Sequence, residues 1–280
     1  MKLNQTKFFD IHPPVYPWPK LLRKEGFVKV YKPRDVKFKK ILDYLKMKEG
    51  ERVLDVGCGE GVLLERIVKT YRVLGTGIDI SPLSIKRAKA NSNQAIKFLV
   101  AEATNLPFSD RVFDIVLSFD TLEHIRNKEK ALSEMARVLK PKGKLLIYTL
   151  NKNQKFTWNW WLSKLGVDVY EKYAHDPNLF LDPYQTKKQL ERAGLVVKRL
   201  ELFNSFFTLT VDEAIMILVS LFSKLGLFKR KGKINIVFGK TFLVLTDFFS
   251  RVSLTILEFL DKPWIKRGYS NSFFLVAQKQ

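Results

Sequence analysis

Three features of this sequence predict an α/β fold with a doubly wound, mostly parallel sheet. Strand-like and helix-like patterns alternate from Arg52 to Asn151 with short links, and parallel strands require crossover connections of that kind. A turn with glycine at alternate positions, Gly57, Gly59 and Gly61, separates the first strand from the first helix. Polar groups (Asp55, Asp79, Glu102 and the run Ser118 to Asp120) fall where successive strands end. Sheets of this class bind ligands along that edge.

Taken in order, the chain opens with an aromatic and proline-rich stretch, Phe8 to Pro19. Repeated proline forbids a continuous helix, so residues 1–35 read as an arm or lid. Tyr16 and Trp18 either close over a ligand or pin the arm to the domain. Val36 to Lys46 has apolar residues at helical spacing (Phe38, Ile41, Leu42, Leu45) and ends at Gly50. Val53, Leu54 and Val56 make a short buried strand, and Val62 to Lys69 the helix after the glycine turn. Glycine lets that turn bend sharply and lets a ligand approach the backbone and the open helix N-terminus. A second strand, Val73 to Ile78, ends in Asp79, at the spacing expected of an acid that binds ribose hydroxyls. Ser81-Pro82 reads as an N-cap and first helical residue, opening a helix to about Ala90. Ile96 to Ala101 and Phe113 to Ser118 are the third and fourth strands. Asn127 to Leu139 is a helix stopped by Pro141 and Gly143, and Lys144 to Leu150 is the fifth strand.

These segments resemble the class I S-adenosylmethionine-dependent methyltransferases. VLDVGCGEG (Val53 to Gly61) is similar to their first motif, and GIDIS (Gly77 to Ser81) to the acidic end of their second strand. AEATNLPF (Ala101 to Phe108) is similar to the adenine-side loop, with Glu102 where the family more often has Asp. FDIVLSFDTLEHI (Phe113 to Ile125) resembles the fourth strand and its loop, and ARVLKPKGKLLIYTLN (Ala136 to Asn151) the following helix, turn and strand. The resemblance spans roughly residues 39–200 and is greatest to the small-molecule branch that includes quinone-biosynthesis methyltransferases. It implies a Rossmann-like sheet of seven strands with the last antiparallel. The implied cofactor is S-adenosyl-L-methionine, leaving as S-adenosyl-L-homocysteine. Its implied binding residues are Asp55, Gly57, Cys58, Gly59, Gly61, Asp79, Ile80, Ser81, Glu102, Ala103, Ser118 and Phe119.

Beyond Asn151 the character changes. Trp158, Trp160 and Trp161 cluster, and His175 to Gly194 resembles the segment in which a histidine-bearing loop lines the acceptor pocket. Gln185 to Ala193 is its helix, Leu195 to Leu202 the sixth strand, and Ser272 to Ala277 the seventh. With residues 36–204 and 270–280 as the cofactor-binding domain, residues 205–269 form an insertion between the last two strands. Val211 to Phe228 and Thr241 to Leu260 are broadly apolar helical patterns joined by a basic turn, Lys229 to Lys233. Such a hairpin suits attachment to an anionic membrane surface through residues 205–262, or burial against itself or a second copy in a homodimer.

Composition narrows the partners. The chain carries 49 Lys and Arg against 28 Asp and Glu, a formal charge of +21. The excess lies in the flanks, because residues 51–150 hold 16 basic against 12 acidic residues. A basic surface points to an anionic partner, either membrane or nucleic acid, or is simply a solvated lysine-rich exterior. One cysteine, Cys58, excludes an internal disulfide and suits a reducing compartment. With no signal-like N-terminus and no long apolar run, the expected location is the cytoplasm, peripheral to the inner membrane face if the insertion binds there.

Methyl transfer requires the acceptor to be aligned in line with the sulfonium carbon, plus a base when the acceptor is a hydroxyl or acidic carbon. His124 and His175 are the candidate catalytic residues. Glu123 and Tyr184 join Tyr16 and Trp18 as candidate pocket residues. Metal-ligand spacing is absent from the sequence, so no metal is expected. The leading reading is a methyltransferase for a hydrophobic or lipid-like acceptor of quinone or isoprenoid type. An RNA or tRNA methyltransferase and a non-catalytic S-adenosylmethionine-binding scaffold are the alternatives.

Overall fold

The computed structural model describes residues 42–92, 95–166, 170, 175–203 and 259–280. The N-terminal arm with Tyr16 and Trp18, most of the Val36 helix and, save for Phe259 and Leu260, the two apolar helical patterns of the insertion lie outside the described residues.

Seven strands form one sheet. They are β1 (Arg52–Val56), β2 (Leu74–Asp79), β3 (Lys97–Val100), β4 (Phe113–Phe119), β5 (Leu139–Leu150), β6 (Leu195–Phe203) and β7 (Ser272–Lys279). Their spatial order is β3-β2-β1-β4-β5-β7-β6. β1 to β5 pair in parallel, whereas β7 lies antiparallel between β5 and β6. The helices are α1 (Val62–Tyr71), α2 (Pro82–Asn91), α3 (Lys128–Val138), α4 (Trp158–Lys164) and α5 (Pro183–Arg192). A helical segment at 259–266 leads into β7. Apolar side chains pack on both faces of the sheet. One core gathers Leu54, Val116 and Leu145 with Leu132 and Met135 of α3. The other gathers Val53, Ile115 and Leu146 with Leu64 and Ile67 of α1.

Most element limits follow local chemistry. Ser81 accepts from the Ser84 N–H and caps α2, whose first residue is Pro82, the proline position that costs no helical bond. Asn127 caps α3 through the Lys130 N–H. Two expectations need correction. β5 begins at Leu139, not Lys144, and runs through Pro141 and Gly143. The pairing explains this: Leu139 faces Phe113 and Lys144 faces Ile115, so residues 140–143 bulge opposite Asp114. Lys140 reaches Asp114 Oδ1 at 2.7 Å across that bulge. α5 starts two residues earlier than expected, because Asp182 accepts from both the Tyr184 and Gln185 N–H groups and Pro183 takes the first helical position. The helix α4, capped by Thr157, had no counterpart among the sequence expectations.

Where β5 ends, a buried polar network fastens three segments together. Asn151 Nδ2 donates to Ser270 Oγ at 2.9 Å and to the Gly268 carbonyl at 3.2 Å. Gln154 donates to the Asn271 carbonyl at 3.0 Å and accepts from the Tyr170 hydroxyl at 2.9 Å. The chain returning toward β7 is thereby tied to the segment that follows β5. Among the described residues, no helix is long and apolar enough to cross a membrane.

Candidate active site

The carboxyl ends of β1, β2, β4 and β5 bring the site together. Gly57, Gly59 and Gly61 all have positive φ, at 80°, 52° and 75°. A Cβ on Gly57 would lie 2.2 Å from Thr121 Oγ1, and one on Gly61 would lie 2.6 Å from the Phe98 ring. Absence of side chains here is therefore steric as well as conformational. The Gly57 and Cys58 N–H groups donate to the Ile78 carbonyl at 2.8 and 2.9 Å, locking the turn onto β2.

Asp79 organises this turn. Its Oδ2 accepts from the Gly59 N–H and its Oδ1 from the Ser81 N–H, both at 2.9 Å. A carboxylate oxygen has two lone pairs, so these bonds leave Asp79 chemically able to accept from ribose hydroxyls as well. Asp55 is buried beside it, and burial together with the Asp79 charge raises its pKa to about 7. Cys58 is buried, and burial pushes its thiol far up, which suits a small packing residue and opposes a nucleophile. Ile80 is half-buried and Ser81 fully buried, with its hydroxyl committed to the cap of α2. Glu102 is exposed and accepts from Thr104 Oγ1 at 3.2 Å, while Ala103 beside it is half-buried. Ser118 is buried, and its Oγ has no hydrogen-bond partner among the described residues. Phe119 stacks on Tyr148 with ring centroids 5.9 Å apart.

A second cluster stands at the ends of β4 and β5. Asp120 takes positive φ, 47°, and turns the chain out of β4 into a short 3-10 helix, Leu122–His124. Glu123 is fully buried and accepts from Thr149 Oγ1 of β5 at 2.7 Å, while its other oxygen has no hydrogen-bond partner among the described residues. Burial first, and the charge of Asp120 second, raise its pKa to about 8. The rings of His124 and His175 stack with centroids 5.0 Å apart, and His175 meets Phe180 edge-on at 5.9 Å. Burial lowers His175 to about 4, so it is neutral at pH 7.

The structure brings together His124, His175 and Glu123, all candidates from the sequence, and adds Thr149 and Thr121, which the sequence reading missed. Sheet adjacency was the signal for Thr149, since it closes the strand beside β4. Tyr184 does not join them. It is the second residue of α5, at 59% exposure. One ligand atom each from Glu123, His124 and His175 lie within 4.8 Å of one another. That spacing would also accommodate a metal ion, a grouping the sequence spacing did not foreshadow.

The comparisons with known proteins fit this geometry. A family model described as a methyltransferase domain matches residues 54–147. The ubiquinone biosynthesis O-methyltransferase of Bartonella bacilliformis is 32% identical over 155 residues, 53% of this chain and 61% of that protein. Its counterpart in Coxiella burnetii is 30% identical over 57% of this chain and 69% of that protein. The chain belongs to the S-adenosylmethionine-dependent methyltransferase family. Norajmaline N-methyltransferase of Rauvolfia serpentina is 35% identical, with 36% of each chain matched. The chain thus spans less than two thirds of the Bartonella and Rauvolfia methyltransferases. Among solved structures, phosphoethanolamine N-methyltransferase 2 of Haemonchus contortus with S-adenosyl-L-methionine shares the fold at TM-score 0.56 and 22% identity, over 86% of this chain and 51% of that one. The [4+2]-cyclase SpnF shares it at TM-score 0.57 and 20% identity, over 88% and 80%. The family fold alone therefore does not dictate the chemistry.

The residues present fit the family's cofactor. The glycine turn at the end of β1 keeps its left-handed backbone, and the Asp79 carboxylate at the end of β2 has the lone pairs that ribose hydroxyls would need.

Proposed function

We propose that this methyltransferase-family chain transfers a methyl group to a hydrophobic small-molecule or lipid-like acceptor bearing a hydroxyl, of quinone or isoprenoid type. The observation that carries the reading is the group formed by buried Glu123, half-buried His124 after β4, and the neutral, half-buried His175 stacked on it. S-adenosylmethionine, when bound, supplies an electrophilic methyl carbon. The chain's own residues position, desolvate and move a proton.

His175, neutral and packed against Phe180, accepts a hydrogen bond from the acceptor hydroxyl without carrying charge into an apolar pocket. His124, stacked on it, is the nearest candidate to take the proton as the oxygen becomes methylated. Protonated Glu123, held by Thr149, fixes the loop that carries His124. The names of the ubiquinone-biosynthesis relatives support an aromatic hydroxyl as acceptor, and the norajmaline enzyme widens the class to other small ring systems.

The test is incubation of the full chain with methyl-labelled S-adenosylmethionine and either a quinol-containing lipid extract or total tRNA. Label in the lipid extract, lost in the His124→Ala variant, supports the reading. Label in tRNA alone moves the chain to the nucleic-acid class. Cofactor binding with no transfer to either leaves the scaffold alternative standing.

A further inference from the structure

The described residues at the root of the insertion carry a surface that the cofactor site does not use. The Phe156 ring meets Trp160 at a tilt, with centroids 5.3 Å apart, and Tyr269 edge-on at 5.2 Å, so the segment after β5 meets the segment before β7 there. Along the two segments that meet here, large apolar side chains are exposed. Phe156 is 37% exposed, Trp161 45%, Leu165 77%, Phe259 64% and Leu260 40%. Soluble monomers seldom gather so many exposed apolar groups without a partner.

The charges are one-sided. Lys152, Lys155 and Lys164 in one segment and Lys262, Lys266 and Arg267 in the other are all exposed. The one acid among the described residues of these two segments, Asp261, is fully buried. Lys164 lies 5.8 Å from the Trp160 ring centre, and Lys262 lies 4.9 Å from that of Phe259. Long basic side chains laid along aromatics let the apolar stems sink while the ammonium groups stay at a polar boundary.

We propose that the junction of residues 152–165 with residues 259–269 is a docking surface for an anionic lipid bilayer. The aromatic rings suit the headgroup level, the aliphatic tips suit the acyl boundary, and the cations suit lipid phosphates. A second copy of the chain fits poorly, because a two-fold interface would set these cations against themselves. Single-stranded nucleic acid fits less well, because base stacking uses the aromatic rings and leaves Leu165 and Leu260 in water. The surface is tied to the histidine pair: the Tyr170 hydroxyl bonds Gln154, and the Tyr170 carbonyl accepts from the His175 N–H at 3.0 Å. A bilayer docked there would present a lipid-soluble molecule beside the acceptor side of the site.

The experiment is vesicle co-sedimentation of the full chain, which needs no methyl transfer and so stands or falls apart from the acceptor reading. Vesicles of phosphatidylcholine alone are compared with vesicles containing phosphatidylglycerol. Three variants are used: Trp161→Ser with Leu165→Ser, Phe259→Ser with Leu260→Ser, and Lys155, Lys164, Lys262 and Lys266 all changed to Gln. Calorimetric binding of S-adenosylhomocysteine, unchanged in each, shows that the exposed substitutions leave the fold intact. The intact chain should sediment with the anionic vesicles and not the neutral ones. Each apolar pair should lower binding about tenfold or more. The lysine variant should lower it on the order of a hundredfold at low salt and flatten its salt dependence. No sedimentation of the intact chain, equal sedimentation by all variants, or capture of RNA in preference to vesicles would overturn the proposal.

Discussion

The backbone N–H of Gly59 donates to Asp79 Oδ2 at 2.9 Å, so the acid that ends β2 is also the clasp of the glycine turn. Replacing Asp79 by Ala removes a charged acceptor and loosens the turn together. Binding of S-adenosylhomocysteine, followed by calorimetry, should weaken by about 1.5–3 kcal/mol. Asp79→Asn, which keeps one acceptor oxygen, should fall between Ala and the native chain. Native affinity in the Ala variant would remove Asp79 from the cofactor site.

Gly57 sits under Thr121 with no room for a methyl group. Gly57→Ala should destabilise the protein by about 2–4 kcal/mol, combining overpacking with the cost of a left-handed backbone. Adding Thr121→Gly to that variant clears the clash and should recover the larger share, leaving about 1 kcal/mol of conformational cost. Denaturant unfolding of the single and double variants checks this. No recovery in the double variant would mean the backbone, not Thr121, sets the requirement.

Glu123 has a folded pKa of about 8, above the ordinary carboxylate value of 4.5. Between those values the folded chain holds a proton that the unfolded chain has released. Its contribution to stability therefore falls as pH rises across that window. Asp55, raised to about 7, acts in the same direction. Glu123→Gln keeps a neutral side chain at every pH. The variant should gain stability relative to the native chain at pH 8 compared with pH 5, measured by denaturant unfolding. An equal difference at both pH values would show that Glu123 is not held protonated.

His175 works in the opposite sense, because its folded pKa of about 4 lies below 6.5. As pH falls from 6.5 toward 4, the unfolded chain takes up a proton that the folded chain refuses, and stability is lost. His175→Gln should remove that acid-side loss. On activity with a labelled acceptor, His175→Ala should lower turnover about tenfold or more and leave S-adenosylhomocysteine affinity within about twofold. A drop in cofactor affinity with turnover intact would place His175 on the wrong side of the site.

The cofactor half of this architecture was legible because its chemistry is local. The Gly57 to Gly61 turn, the acid at Asp79 and the Ser81-Pro82 cap are short-range requirements of backbone and hydrogen bonding. The histidine pair was less legible. His124 and His175 are far apart in sequence and meet only in the fold, and Thr149 reaches Glu123 only because β5 lies beside β4. The early start of β5 was hidden by Pro141 and Gly143, which read as a stop when their neighbours in space are unknown. Asp182 fixes where α5 begins, and Tyr184 falls on its exposed first turn.

The position of β7 has a consequence for how the chain is made. Its partners β5 and β6 are synthesised first, yet β7 fills the gap between them and pairs with both. Until residues 272–279 leave the ribosome, two strand edges stand open and the half-built sheet is a target for chaperones or for aggregation. Final closure waits on the last strand, with Asn151 ready to receive Ser270 as it arrives. Loop-closure cost grows only logarithmically with length, so the segment between β6 and β7 can lengthen or shorten across evolution with little thermodynamic penalty. What such changes alter is the time the open edges spend unprotected.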